Sequence, residues 1–481
     1  MRLARPANPD GVAEHPNEVL FVLLLAGVSY ALSQTLVIPA LPEIRQEVGA
    51  SASASSWLIT GFLLSSSVST PIVGKLGDVY GKGRMLGWVL VLFSFGTLVC
   101  ALGHSIGVLI AGRVIQGVAS GVFPLAFGIV RDTFPPSRVA SGLGTVSAIF
   151  GIGGGIGLPL SGVIVDHFDT SWVFWISLLA LPAAFAAFRL VPDSPAAERR
   201  RIDWPGAALL SVTLGALLLG VTEANDWGWG SGRTLGLLAG GVVLAVLWVA
   251  FESRVDEPLI DLGVLRRRTV ATTNLTGLLI GFAMYSSFLL IPQFAQVPES
   301  TGYGFGASVT EAGLILAPAA LFQLLAGPLA GSLGARIGFR VTLAAGAAFA
   351  TLCFVMLALE HSHPWQFVIA GAFLGTGISF AFASMANLIV GAVPQSEVGI
   401  ATGINTIMRT VGGAFGSAAA TAILTAKTIG DTAVPTEGAY TTAFALSAGG
   451  GVLAILAALM GPSLAAARSR AAAEAAVAPA S

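Results

Sequence analysis

Fourteen runs of predominantly apolar residues, each about 20 residues long, occupy the chain from residue 18 to residue 461. A helix of that length crosses a hydrocarbon core of roughly 30 Å. Lipid offers the backbone no hydrogen bonds, so only helices and closed barrels traverse it. The runs lack strict two-residue alternation, which disfavours a barrel. The reading is an all-α integral membrane protein with 14 transmembrane helices. Composition agrees: 10% of residues are charged and 55% hydrophobic, against about 25% charged in a soluble domain. The formal net charge of −1 gives no basic surface for nucleic acid. Cys100 and Cys353 both fall inside apolar runs, as packing residues do, and show no zinc spacing.

The loops orient the chain. With the N-terminus in the cytoplasm, nineteen basic residues lie inside and three outside, while Arg113 and Arg409 sit within spans. That bias satisfies the positive-inside rule and an even number of spans, with both termini cytoplasmic. Trp57, Trp172, Trp175, Trp227, Trp229 and Trp365 fall near outer ends, and Trp88, Trp204 and Trp248 near inner ends, as an interfacial belt requires. The first run follows a polar leader and is too long for a signal-peptide core. The excess of Arg over Lys and the richness in Ala and Gly point weakly to a bacterial source, and hence to a cytoplasmic (inner) membrane.

Two pairs of segments repeat. Pro135-Pro-Ser137-Arg-Val139 matches Pro394-Gln-Ser396-Glu-Val398, and each precedes a Gly-rich span. Gly74-Lys-Leu76-Gly77-Asp78-Val-Tyr-Gly81 matches Gly331-Ser-Leu333-Gly334-Ala335-Arg-Ile-Gly338. Both members of this second pair follow the second span of a six-span block. The expected organisation is a leader over 1–17, a six-helix bundle over 18–191, an inserted helix pair with its loops over 192–269, a second bundle over 270–461 and a tail over 462–481. Parallel six-helix repeats with a site between them near mid-membrane are a transporter pattern.

Four motifs resemble those of the major facilitator superfamily, most closely its fourteen-spanner drug:proton antiporters of the multidrug efflux type. Gly74-Lys-Leu-Gly-Asp78-Val-Tyr-Gly81-Lys82-Gly-Arg84 is similar to the family's loop between spans two and three. The resemblance implies an inner latch of Gly74, Asp78, Gly81 and Arg84 that favours an outward-open state. Its alternative is a basic loop that only orients the chain. Val79 and Gly83 replace basic residues of the pattern. Arg113-Val-Ile-Gln116-Gly117 in span four is similar to the family's R-x-x-Q-G. An Arg at that depth costs at least about 2.5 kcal/mol. It either serves the cavity or pairs structurally with backbone carbonyls. Gly153-Gly-Gly155-Ile-Gly157-Leu-Pro159-Leu-Ser-Gly162 resembles the antiporter motif, which implies a hinge at Gly153, Gly157, Pro159 and Gly162. Leu158 and Ser161 depart from it, and tight helix packing is the other reading. In span one, Ser33 stands where the family has Asp.

The resemblance implies two pseudo-symmetric six-helix bundles (6 + 2 + 6) around a shared cavity. Candidate cavity residues are Tyr30, Gln34, Arg113, Gln116, Tyr285, Gln323, Asn405 and Arg409. Proton-coupling candidates are Arg113, Glu223, Glu311 and Asp226, because acids deep inside the spans are scarce. The expected partners are a small amphipathic substrate, protons and membrane lipid, the protein acting as a monomer. The inserted pair either seals one side between the bundles or meets lipid. Symport and uniport on the same fold stay open beside export. No His or carboxylate cluster, phosphate loop or nucleophile elbow is present, so neither an enzyme nor a bound metal or cofactor is expected.

Overall fold

The structure, a computed structural model, describes residues 14–192, 203–430 and 434–462. The expectations for most of the leader, for Arg199–Arg201 and for the tail beyond 462 lie outside the described residues.

Membrane-length helices follow one another: α1 (Pro16–Glu47), α2 (Ala52–Tyr80), α3 (Lys82–Ala101), α4 (Ile106–Thr133), α5 (Pro136–His167), α6 (Trp172–Leu190), α7 (Trp204–Thr222), α8 (Gly232–Glu252), α9 (Arg268–Gln296), α10 (Val309–Ile337), α11 (Phe339–Leu359), α12 (Pro364–Ala392), α13 (Val398–Ala426) and α14 (Glu437–Leu459). Among the described residues thirteen of these are long and apolar enough to cross a membrane, α4 and α6 with a 3-10 turn inside them. The remaining one is α5, which passes through a π-helical turn at Gly153–Gly157. Its cause is local. Pro159 has no N–H to give the carbonyl four residues back, and its ring crowds that carbonyl. Glycines let the backbone widen there. The Thr35 hydroxyl donates to the Gly153 carbonyl at 2.6 Å, satisfying an acceptor in the widened turn.

The sequence repeat is a repeat of backbone. Gly81 between α2 and α3 has φ 99° and ψ 125°, and Gly338 between α10 and α11 has φ 98° and ψ 133°. Both positive φ values favour glycine. In each case the amide donates back four residues, to Gly77 and Gly334.

Two large core clusters form, the first reaching across the seam to Ile389, Val390 and Val398 of the second half and the second lying within the second half. Leu23, Phe93, Phe123 and Val146 anchor the first. Phe294, Phe354, Phe367 and Phe444 anchor the second. The bundles meet where small residues let backbones touch. A Cβ on Gly74 would lie 2.5 Å from the Gly399 carbonyl oxygen, and one on Gly331 would lie 2.3 Å from that of Ala140. The inserted pair is carried on one flank. Ala207, Leu210, Leu214 and Trp248 pack with Ile400, Ile404 and Ile407 of α13. In α8 only 17% of the membrane window is buried. Val242, Val243, Val246 and Leu247 are exposed there, as they are on a lipid-facing helix.

Candidate functional site

At the end of the bundle that carries Gly81, charged side chains close the seam between the halves. Asp78, in the last turn of α2, accepts from the backbone amides of Gly399 at 3.1 Å and Ile400 at 3.4 Å. These are first-turn amides of α13, left without helical partners and carrying the positive end of its dipole. The approach requires the Gly74–Gly399 contact, which brings the two backbones together. Lys82 is buried with its ammonium 3.2 Å from Asp78 and 2.9 Å from Asp132. Asp132 also accepts from Gln395 of the second half at 2.7 Å, and Arg131 donates to the Val393 carbonyl at 3.0 Å. Gly74 and Asp78 thus contact the second half here, and Gly81 is the positive-φ turn between Asp78 and Lys82. Arg84 is exposed, and Lys82 holds the two buried carboxylates. Lys82 stands one helical turn beyond Asp78, across Gly81, and that spacing was the available signal.

Above the seal lies a cavity of about 620 Å³ that runs toward the opposite end of the bundle. Its wall includes Thr222, the last residue of α7, Gln296, the last residue of α9, and Gly313 in the first turns of α10. Ile38, Gln293 and Gln296 on the wall are exposed, so this end is open. Phe62, Leu63, Met284, Phe288 and Leu289 make much of the surface apolar. Gln34 and Tyr285 also line it. The Gln34 amide donates to the Tyr285 hydroxyl at 2.9 Å, a hydrogen bond between the two halves from residues 251 apart.

Arg113 forms the floor, and its surroundings are neutral. It donates to the Leu58 carbonyl at 2.9 Å, the Ser33 carbonyl at 3.0 Å, the Ser33 hydroxyl at 3.2 Å and the Gln116 side-chain oxygen at 2.9 Å. The Phe62 ring centroid is 4.2 Å from its guanidinium carbon. Gln116 is fully buried and passes a hydrogen bond to Thr97 at 2.9 Å. The carbonyl-paired reading of Arg113 describes this geometry. Ser33, at the position of the family's acid, is itself one of the contacts, so Arg113 faces a serine where the pattern puts a carboxylate. No acidic side chain lines the cavity among the described residues.

Other candidates fall elsewhere. Tyr30 is buried inside the first bundle, bonded to Ser66 at 2.9 Å and packed among Phe62, Phe93 and Phe123. It is a core residue, because its ring fills the bundle's aromatic centre. Gln323 is buried off the cavity, and its carbonyl accepts from Ser379 at 2.7 Å. Asn405 and Arg409 form a buried pair at 2.7 Å outside the lining, with Asn405 donating to Asn274 at 3.1 Å. Glu311 is exposed at the start of α10, where it closes a capping box with Ser308. That is a helix-end role, since its carboxylate is spent on the Ser308 amide at 2.8 Å. Asp226 is exposed on the loop beyond α7. Glu223 is buried and directly follows Thr222, which lines the cavity, though it is not itself a lining residue. Burial and the neighbouring Asp226 carboxylate raise its pKa above the usual carboxylate range. At the α5 bend, Cβ atoms on Gly153, Gly157 and Gly162 would strike Ala31, Thr35 and Thr310, so these glycines set close packing against α1 and α10. Gln293, Gln296, Thr410 and Ser417 line the cavity and escaped the sequence reading. Only the fold shows which face of a uniformly apolar helix turns inward.

The family model described as Major Facilitator Superfamily matches residues 23–305 and 275–480. The chain is 31% identical over 402 residues to the multidrug resistance protein Stp of Mycobacterium tuberculosis, covering 82% of this chain and 73% of that protein. It is 29% identical over 411 residues to an uncharacterised MFS-type transporter of the same organism, covering 83% of this chain. The chain spans 58% of the length of that relative. Among solved structures, the human organic anion transporter MFSD10 (TETRAN) has a similar fold, with a TM-score of 0.66 at 17% identity over 94% of this chain and all of that one.

Proposed function

From its membership of the Major Facilitator Superfamily, to which this chain belongs, we propose that it exports drugs or small amphipathic metabolites by alternating access in exchange for protons. The observation that carries the proposal is a mostly apolar cavity between two repeated bundles, open at one end and sealed by Asp78 and Lys82 at the other. Likeness to a protein named for multidrug resistance supports the choice of cargo. The excess of basic residues on one set of loops supports a sealed end, and both termini, facing the cytoplasm of a bacterial cell. In this reading the protein works as a monomer in lipid, and a cavity closed at the cytoplasmic end belongs to its outward-open state.

Glu223 is the proposed proton carrier. It alone among the four coupling candidates is a buried carboxyl beside the cavity, and its pKa is raised. The sign follows. A raised pKa means that the folded protein holds the proton where a free carboxyl has lost it. The associated stabilisation is present at low pH and is lost as pH rises through the raised value. Arg113, with neutral contacts only, would position substrate or backbone. The absence of an acid from the cavity wall favours a second reading, uniport without a proton.

Reconstituted vesicles separate the two. An inside-out population given a preset pH gradient should accumulate an amphipathic cationic dye and dissipate the gradient. Glu223→Gln should abolish proton movement and flatten the pH dependence of uptake while dye binding persists. Full coupling in E223Q would remove Glu223 from the mechanism. Dye uptake that ignores the gradient altogether would select uniport.

A further inference from the structure

Two carboxyl groups meet at the foot of the inserted helix pair, away from the cavity. Asp203 caps α7, its Oδ1 accepting from the Gly206 amide at 2.9 Å. Glu252 ends α8, its Oε1 accepting from the Ile260 amide at 2.5 Å. Their other oxygens, Asp203 Oδ2 and Glu252 Oε2, are buried and receive no hydrogen bond. Both converge over Gly206: a Cβ there would lie 2.2 Å from the first and 2.7 Å from the second. Asp203 is 8% exposed and Glu252 2%.

Among the described residues no cation acts on Glu252. From α13 the pocket receives Ile400 and Ile404, and from α2 it receives Ile72. Lys75 of α2 is buried and engaged, and it does not act electrostatically on Glu252. On the strap after α8, Arg254, Asp256, Glu257 and Asp261 are exposed, as is Arg266 beyond it. Asp203 acts electrostatically on Glu252, and no basic side chain among the described residues does. Trp248, one turn before Glu252, keeps a buried indole N–H without an acceptor, so it relieves neither oxygen. Two facing carboxylates in an apolar pocket do not both ionise.

We propose that Asp203 and Glu252 are a proton-binding site, with one proton shared between Oδ2 and Oε2. The O–H of one carboxyl donates to the other, which satisfies both orphaned oxygens at once. The site acts as a clasp. Asp203 holds the first turn of α7, and Glu252 holds the strap at Ile260. Both press on the Ile400 face of α13, beside the amides that Asp78 holds. Loss of the proton puts two like charges inside the clasp, next to the seal.

Infrared difference spectra of the purified full-length protein test this without any transport measurement. With Glu223→Gln as the background, so that the other buried carboxyl contributes nothing, the protein should show the band of a buried protonated carboxyl that shifts in heavy water. Asp203→Asn and Glu252→Gln should each abolish it, because the new amide donates to the remaining carboxylate. Thermal stability of the wild type should fall from mildly acid to mildly alkaline pH, and that slope should shrink in both variants. A band that survives in either variant overturns the proposal. So does a band that disappears from that background when sodium is added at constant pH, which would assign the pair to a metal cation. Either near-isosteric variant suffices if the other fails to fold.

Discussion

The two halves cross at equivalent places by different means. At Gly74 and Gly399 the backbones touch, and the loop beyond them is buried: Asp78 is 3% exposed and Lys82 3%. At Gly331 and Ala140 the backbones touch as closely, yet the loop beyond them is open. There Ala335 and Phe339 stand 257 positions after Asp78 and Lys82, and Ala335 is exposed. The close approach is thus a property of the repeat, set by small residues. The polar seal belongs to one copy. If the proposed cycle opens this seam, charged and hydrogen-bonded contacts suit it, because water replaces them when they part. Interdigitated apolar packing has no such substitute and serves better as a pivot.

The largest effect should come from Lys82→Ala. It leaves Asp78 and Asp132 buried without their cation, and breaking a buried ion pair in this way costs about 3–5 kcal/mol. Thermal unfolding in detergent measures it. A loss under about 1 kcal/mol would show that the cluster is solvated, as surface pairs are. Next come Gly74→Val and Gly331→Val. Each forces atoms into a backbone contact, at about 1–3 kcal/mol by the cost of overpacking. Both should destabilise to a similar degree, since the crossing is shared; a tolerant Gly331 would break the equivalence of the two sites. The smallest effect should come from Ala335→Asp, which imports the carboxylate into the second loop. An exposed position of this kind changes stability by no more than about 0.5 kcal/mol. A larger change would mean that the second loop is also a seal.

Several features were legible in the residues because their causes are local. Span length is imposed by the bilayer, and the pairing of the Gly74–Gly81 and Gly331–Gly338 segments by their repeated glycines, which the structure places in matching turns. The Arg113–Gln116 contact follows from three-residue spacing on one helix face. The missing carboxylate at Ser33 was visible, and the structure shows its neighbour to be Arg113. Other features were hidden because their partners are distant in sequence. Lys82 finds Asp132 fifty residues on, Gln34 finds Tyr285 across the other half, and Asp203 meets Glu252 only when α7 and α8 pair. Tyr30 and Gln323 read as cavity groups because a polar atom in a span attracts notice. Packing against Phe93 and Phe123 withdrew Tyr30, and Gln323 lies buried off the wall.

The sequence by itself determined that this chain crosses lipid as helices in two related sets, because unpaired backbone in hydrocarbon is too costly for any other outcome. Tertiary structure decided which polar atoms face one another, and so where the seal, the cavity and the acid pair lie. Nearly every position along these helices is apolar on all sides, and such a helix carries little record of which face its neighbours will cover.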